Sequence, residues 1–480
     1  MKNISRVATA ALGLGLAALS APSKAEEGAG FEPCYLSGLK EKVKCTSFDV
    51  PLDYANPESG TITVHATIVP ALSSNPAEDP FFVFAGGPGQ AAGDYGMLVR
   101  LAFDPIRTKR DIVLLDQRGT GRSSGVRCDG DQLPETLEEM SAIAAQCREN
   151  APMDVRFITM ENVVRDAEEV RAHLGYPALN LWGGSYGTRT VALYLRRYPE
   201  RVRSIIVDGV LPPDVSLFET APASAERAKH MIAEDCAQSP ACAERFPNFE
   251  ADVDALMAKA KEGGLKFEGH DPLSGEPLEM TMMFGFVVEA LRGSFYTADN
   301  TTYVPLVVDK AMNGDLAPLV ASLFSGTAVS DTMYLGATYS LLCGDEVPRL
   351  SDEQALKAAE GSFAGDSYYQ YWSAGCKGWT SEPAMADALT PISSDVPALV
   401  LSGNLDPVTP PSMGEHFVQG FPNGRHIIVP GTGHNTGHIA CMPEVMKQFV
   451  ETLDVNALDE SCFTHLKRLP LAVGINGNVK

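Results

Sequence analysis

The amino-acid sequence predicts an α/β protein: a mostly parallel sheet with helices on both faces, carrying one long insertion. Three observations predict it. Short apolar runs bounded by turn residues recur along the chain, and segments of helical hydrophobic periodicity lie between them. In one central stretch this alternation stops, and afterwards it resumes.

The 480-residue chain opens with Lys2 and Arg6, followed by an apolar run over residues 7–21. Ser23-Lys24-Ala25 then places small residues at the two positions a signal peptidase reads. Residues 1–25 therefore read as an export signal, and the mature chain is expected to begin near Glu26. The apolar run is too short to span a bilayer and no later segment reads as a transmembrane helix, so stable membrane insertion is not expected. A secreted or periplasmic location follows, and cysteine usage agrees with it. Ten Cys residues stand at positions 34, 45, 128, 147, 236, 242, 343, 376, 441 and 462. In an oxidising compartment the simplest pairing is local: 34–45, 128–147, 236–242, 343–376 and 441–462. No CxxC pair and no Cys/His cluster has metal-ligand spacing, so neither a metal nor another cofactor is expected.

Hydrophobic residues make up 45% and charged residues 21%, an ordinary globular composition. The formal net charge of −23 argues against nucleic-acid binding, which needs clustered Lys and Arg. It serves solubility, and it would mildly favour cationic substrates such as peptides with a free amino terminus. Oligomeric state is not legible.

Residues 48–52 and 61–69 read as an N-terminal antiparallel hairpin. Buried parallel strands are expected at 81–85 (FFVFA), 111–115 (DIVLL), 203–207 (RSIIV), 398–401 (ALVL) and 426–429 (HIIV). Residues 161–174 place Val163, Val164, Ala167, Val170 and Leu174 on one helical face, and 188–198 and 443–453 also read as helices. Between about 213 and 390 come short amphipathic helices, Gly- and Pro-rich turns and the aromatic cluster Tyr368, Tyr369, Tyr371 and Trp372. The expected organisation is a core formed by 26–212 and 391–480, with 213–390 as a mostly helical cap insertion.

The strongest chemical signal is Gly183-Gly184-Ser185-Tyr186-Gly187, preceded by an apolar strand and followed by a helix. A sharp strand-to-helix turn projects a serine from a strained backbone, and small neighbours let the chain pass close by. It also puts Ser185 at a helix N-terminus, where partial positive charge favours a developing oxyanion. A hydroxyl needs an adjacent base, expected from a loop at the carboxyl edge of the same sheet. His434 follows strand 426–429 through Pro430-Gly431-Thr432-Gly433 and is the expected base; His438 is its rival. The imidazole in turn needs a carboxylate to fix its tautomer. Asp406 follows strand 398–401 in another strand-end loop, whereas Asp395 precedes that strand and would lie at the wrong edge. The chain order Ser185, Asp406, His434 is the one expected of the α/β-hydrolase fold. Two backbone N–H groups should receive the oxyanion. They are expected from Tyr186 and from Gly87 in the Gly86-Gly87-Pro88-Gly89 loop, with Gly86 the next candidate.

Gly86 to Gly89, Asp116-Gln117-Arg118-Gly119-Thr120-Gly121-Arg122-Ser123 and Gly183 to Gly187 together resemble the prolyl and tripeptidyl aminopeptidases. Ser402-Gly403-Asn404-Leu405-Asp406-Pro407-Val408-Thr409-Pro410 is similar to the C-terminal segment of their secreted tripeptidyl branch. The resemblance implies a serine exopeptidase acting on peptide substrates with free amino termini, without metal or cofactor. Many prolyl aminopeptidases have His before Gly-Gly-Pro-Gly, where this chain has Ala85. Reading a free amino terminus requires carboxylates in a closed site. The resemblance suggests that Asp345 and Glu346 face Ser185 from the cap; the alternative is a solvated acidic turn. Residues 368–372 either line the pocket or belong to the core. Asp116 and Arg118 are expected to hold the loop beneath the site. A carboxylesterase using the same three residues, and an inactive binding protein of the same fold, are the competing readings.

Overall fold

The computed structural model describes residues 30–128, 136–330 and 332–477. The expected export signal over residues 1–25 lies outside them. The strands are β1 (Glu32–Tyr35), β2 (Lys42–Pro51), β3 (Thr61–Val69), β4 (Phe81–Phe84), β5 (Ile112–Asp116), β6 (Leu179–Gly184), β7 (Val202–Asp208), β8 (Leu265–His270), β9 (Pro277–Met282), β10 (Ala398–Gly403) and β11 (Gly424–Val429). Nine of them form one sheet in the order β1-β2-β3-β5-β4-β6-β7-β10-β11. β1, β2, β3 and β5 pair antiparallel in succession, and from β5 to β11 every pairing is parallel. All five strands expected from short apolar runs are there, with ends shifted by one or two residues.

The parallel strands β4, β5, β6, β7 and β10 are buried on both faces, and their alternate side chains feed two separate apolar clusters; the edge strand β11 feeds only the second, through Ile427 and Val429. Phe82, Phe84, Val113, Leu115, Leu181 and Val207 enter one, while Phe81, Val83, Ile112, Leu114, Trp182 and Ile206 enter the other. All four residues of β4 have no exposed surface. Each such side chain contributes about 1.5–3 kcal/mol from leaving water. Helix Met160–His173 covers the first face with Met160, Val164, Ala167 and Val170, and the Thr159 side chain caps it by accepting from the Asn162 N–H. Helix Met442–Thr452 covers the second with Val445, Met446, Phe449 and Val450.

Between β7 and β10 the chain builds a second core. Ala225, Ile232, Phe249, Leu256, Val287, Leu291 and Phe295 pack there, joined by Leu471 from the C-terminal tail. Two features differ from the sequence-based expectation. Helix Leu217–Gln238 is 22 residues long rather than short, with Pro222 tolerated near its start. The antiparallel pair β8–β9 stands apart as its own two-stranded sheet. The five disulfides are the five local pairs: Cys34–Cys45, Cys128–Cys147, Cys236–Cys242, Cys343–Cys376 and Cys441–Cys462. Among the described residues, no helix is long and apolar enough to cross a membrane.

Two loops are fixed from below by buried charge. Asp116 accepts from the Gly93 and Arg122 N–H groups at 2.7 and 2.9 Å. Arg118, fully buried, pairs with Asp166 at 2.6 Å and donates to the carbonyls of Pro51, Leu52 and Phe157. A guanidinium taken out of water needs this many acceptors.

Candidate active site

The carboxyl ends of β4, β6, β7, β10 and β11 meet at one edge of the sheet, which is where parallel sheets gather chemistry. β6 ends at Gly184, Ser185 takes φ +54°, and helix Gly187–Arg197 begins immediately after. This left-handed serine is the strained turn the sequence predicts. Its neighbours must be small for a steric reason. A Cβ on Gly183 would lie 2.5 Å from the Gly187 carbonyl oxygen, and one on Gly187 would lie 2.5 Å from that of Phe84. The Ser185 N–H is tied to the Asp208 carbonyl at 2.9 Å.

His434 Nδ1 lies 2.7 Å from Asp406 Oδ2. Asp406 is fully buried and also accepts from the N–H groups of Val408 and Thr409 and from Thr409 Oγ1, each at 2.8 Å. With its other acceptor sites filled by donors, the carboxylate accepts a hydrogen bond from Nδ1–H, which leaves the Nε2 lone pair free to accept a proton. Burial disfavours the charged ring. The attraction and hydrogen bond of Asp406, with the charge of Asp208, outweigh it and hold His434 above the ordinary imidazole range. Ser185 and His434 face the same cavity. Among the described residues no hydrogen bond joins the Ser185 hydroxyl to the ring; such contacts are commonly long without substrate and tighten in its complex. His438 is exposed, and Asp395 precedes β10 at the opposite edge of the sheet.

The Gly86 N–H donates to Tyr95 Oη at 3.1 Å, which removes it as an oxyanion donor. The N–H groups of Gly87 and Tyr186 have no acceptor among the described residues, and Gly87 lines the cavity beside Ser185.

The cavity measures about 1690 Å³. Ser185, His434 and Gly87 line one side, and Glu289, Tyr368 and Trp372 belong to the segment between β7 and β10. Tyr371 joins them, whereas Tyr369 is buried and bonds to Asp352. Glu289 is the only carboxylate among the described lining residues. It pairs with Arg292, whose guanidinium lies 4.5 Å over the Tyr368 ring and donates to Tyr296 Oη at 2.9 Å. The Tyr296 carbonyl in turn accepts from the His434 N–H at 2.8 Å. The insertion is thereby bonded directly to the histidine loop.

The placement of Asp345 and Glu346 corrects the sequence reading. They are 3% and 0% exposed and do not reach the cavity. Asp345 accepts from the Tyr186 hydroxyl and Glu346 pairs with Arg189, both beneath the serine turn. They are neither a solvated turn nor available to a substrate amine, because both are buried away from the cavity. Two residues that sequence reasoning missed do belong at the site. One is Glu289, whose pairing with Arg292 three positions on looks in sequence like a solvated helical ion pair. The other is Asp208, which ends the apolar run RSIIVD of β7. Its carboxylate accepts from the N–H groups of Thr436 and Gly437 at 2.8 and 2.7 Å and so fixes the loop following His434. Burial raises its pKa, against those two hydrogen bonds.

Comparison with known proteins agrees with this architecture. Residues 79–232 match the alpha/beta hydrolase fold family, and residues 362–462 match the family of TAP-like proteins. The tripeptidyl aminopeptidase of Streptomyces lividans is 27% identical over 219 residues, covering 41% of each chain. Serine protease Hip1 of Mycobacterium tuberculosis is 25% identical over 237 residues, 44% of this chain and 45% of its own. Carboxylesterase B of the same species is 30% identical over 246 residues, 45% of this chain and 47% of its own. The matched stretch spans under half the length of each relative. Sheet order, the serine turn and the match over residues 79–232 give this chain the α/β-hydrolase fold, and residues 362–462 are similar to TAP-like proteins.

Proposed function

We propose that the chain is a serine exopeptidase that releases single residues or short peptides from free amino termini. Ser185 is the nucleophile, His434 the general base and Asp406 the carboxylate that orients it. The observation that carries this reading is the 2.7 Å bond between Asp406 and His434 at the sheet edge that also holds the strained Ser185 turn. Ser185 Oγ attacks the scissile carbonyl carbon as His434 Nε2 takes its proton, and the N–H groups of Gly87 and Tyr186 hold the oxyanion. Collapse of the tetrahedral intermediate breaks the C–N bond, and His434 returns the proton to the leaving amine. Water then attacks the acyl-enzyme by the same route in reverse.

Residues 213–390 act as a cap over this edge and leave a partly covered cavity suited to chain ends rather than folded proteins. Within it Glu289 is the carboxylate positioned for a substrate ammonium, the role that Asp345 and Glu346 do not fill. Relatives named tripeptidyl aminopeptidase and serine protease support the peptidase reading. The five disulfides fit an oxidising compartment outside the cytoplasm.

A carboxylesterase is the second reading, favoured by the 30% identity to a protein of that name. Parallel assays on free-amino peptide anilides, their N-acetylated forms and p-nitrophenyl esters separate the two. The proposal expects cleavage of free-amino peptides and little of the acetylated ones. Ester turnover with no peptide cleavage would overturn it, and no labelling of Ser185 by a fluorophosphonate would favour an inactive binding protein.

A further inference from the structure

Beneath the serine turn lies a cluster of buried charge that the mechanism above leaves unused. Helix Gly187–Arg197 follows Ser185 directly, and helix Leu335–Asp345 ends against it. Tyr186, 3% exposed, donates its hydroxyl to Asp345 Oδ2. Arg189, one turn further on and 1% exposed, pairs with Glu346 and donates to the carbonyls of Pro212 and Val215. Glu346 accepts from the Leu217 N–H at 2.7 Å, and Arg349 lies 3.5 Å from it. Arg349 also donates to the carbonyls of Pro213, Asp214 and Val215. The four charged groups cancel in sign, which lets them remain together out of water.

These bonds converge on two places. One is the stretch 212–217, where the chain leaves the sheet to build the cap. The other is Tyr186, whose N–H we assign to the oxyanion. A residue adjoining a strained serine has little freedom if its backbone must keep one orientation. Its side chain is the handle by which that orientation can be held.

We infer that Asp345 is a positioning residue: through the Tyr186 hydroxyl it fixes the oxyanion-donating N–H of Tyr186 and ties it to the attachment of the cap. The inference rests on the catalytic reading proposed above. Two features support it. Tyr186 is the first residue after the nucleophile, so a shift in its ring is passed to the N–H within a single residue. Burial also pushes the Asp345 carboxyl up to about 6, against the Tyr186 hydrogen bond and the nearby Arg189 and Arg349 charges, with Glu346 reinforcing the rise. Such a carboxylate depends on its hydrogen-bond donor to stay ionised. The Cys343–Cys376 disulfide joins the same helix to helix Ser367–Gly378, which carries Tyr368 and Trp372 into the cavity. The oxyanion donor and the wall of the cavity are thus mechanically connected.

The test compares Tyr186→Phe and Asp345→Leu, which keep the packed shapes and remove the donor and the acceptor of this bond, with the wild-type chain. Both should lower kcat about tenfold to a hundredfold, less than outright removal of an oxyanion donor, with KM changed by less than about twofold. Both should weaken binding of a free-amino peptide boronic acid, whose tetrahedral adduct uses the same N–H groups, by a similar factor. The double variant should be no worse than either single one, because both remove the same bond. A rise in KM at unchanged kcat would overturn the inference in favour of substrate contact. A fall in melting temperature with kcat and boronate affinity intact would overturn it in favour of plain stability. Fluorophosphonate labelling of wild-type Ser185 separates the two levels of failure. Without labelling the catalytic reading itself falls; with labelling but unimpaired variants, only the positioning role does.

Discussion

The sheet edge and the cap meet across one cavity, yet they are built on different physics. At the sheet edge, charge is held by backbone. Asp406 and Asp208 each accept from main-chain N–H groups of a strand-end loop, and neither side chain can move without breaking the loop. In the cap, charge facing the cavity is held by other side chains, as with Glu289 on Arg292. Glu289 is 44% exposed, whereas Asp406 is fully buried. The rigid region suits bond-making, which tolerates little misplacement. The side-chain-built region suits recognition, which can vary without disturbing the chemistry. On this view, damage at the edge should abolish turnover of every substrate, and damage in the cap should change which substrates are turned over.

The largest effect should come from the proposed nucleophile. Ser185→Ala should lower kcat by about a million-fold on peptides and esters alike, with the thermal unfolding curve unmoved. Loss of peptide cleavage with ester hydrolysis retained would break the comparison, since the edge would then discriminate between substrates. Asp406→Asn should cost about ten-thousand-fold in kcat, because an amide presents an N–H where the ring needs an acceptor and favours the wrong tautomer.

Next comes stability, measured by denaturant unfolding. Arg118→Met strands the Asp166 carboxylate in a dry site and should cost about 3–5 kcal/mol. In the second core, Arg245→Met breaks a pair with Asp309 in which the arginine is 46% exposed, and should cost less than about 1 kcal/mol. Equal costs would mean that both regions rest on the same kind of buried charge.

The same division explains what could be read from sequence. The sheet announces itself locally. FFVFA, DIVLL and the run before Gly183 are apolar, short and punctuated, and the loops that follow them hold the proposed site and its supports. The pairing of Asp406 with His434 was legible because each follows its strand within one tight loop. The disulfides were legible because their loops are short. Asp345 and Glu346 were misread because their partners Tyr186 and Arg189 lie more than 150 residues away, and an acidic pair beside a cysteine has no local sign of burial. β8 and β9 escaped notice because Lys266, Glu268 and Glu279 make them polar, and they pair only with each other. Helix Leu217–Gln238 runs on through Pro222, its sixth residue, at the loss of one backbone hydrogen bond, a continuation that local sequence does not announce.

A smaller and more selective effect is expected in the cap. Glu289→Gln removes a charge-assisted contact to a substrate ammonium, worth about 1.5–3 kcal/mol. It should lower kcat/KM about tenfold to a hundredfold on free-amino peptides. Hydrolysis of p-nitrophenyl esters, which bring no ammonium, should not change. An equal loss on both would show that Glu289 serves the fold through Arg292 and Tyr296 rather than the substrate.

The smallest effect is a displacement along the pH axis. In its proposed role His434 accepts a proton only when neutral, and its pKa is raised, since burial is outweighed by Asp406. The rate should therefore climb with pH through a midpoint above about 6.5, the unperturbed imidazole value. Stability runs the other way. A raised folded-state pKa means that protonated His434 stabilises the native chain. That stabilisation is complete below the unfolded-state value and is lost as pH rises through the folded-state one. In Asp406→Asn the attraction disappears and burial remains, so the residual rate should reach its midpoint at lower pH and this stabilisation should vanish. In Glu289→Gln, whose change lies in the cap, neither should move. A midpoint that shifts with Glu289 but not with Asp406 would place control of the base in the wrong region of the molecule.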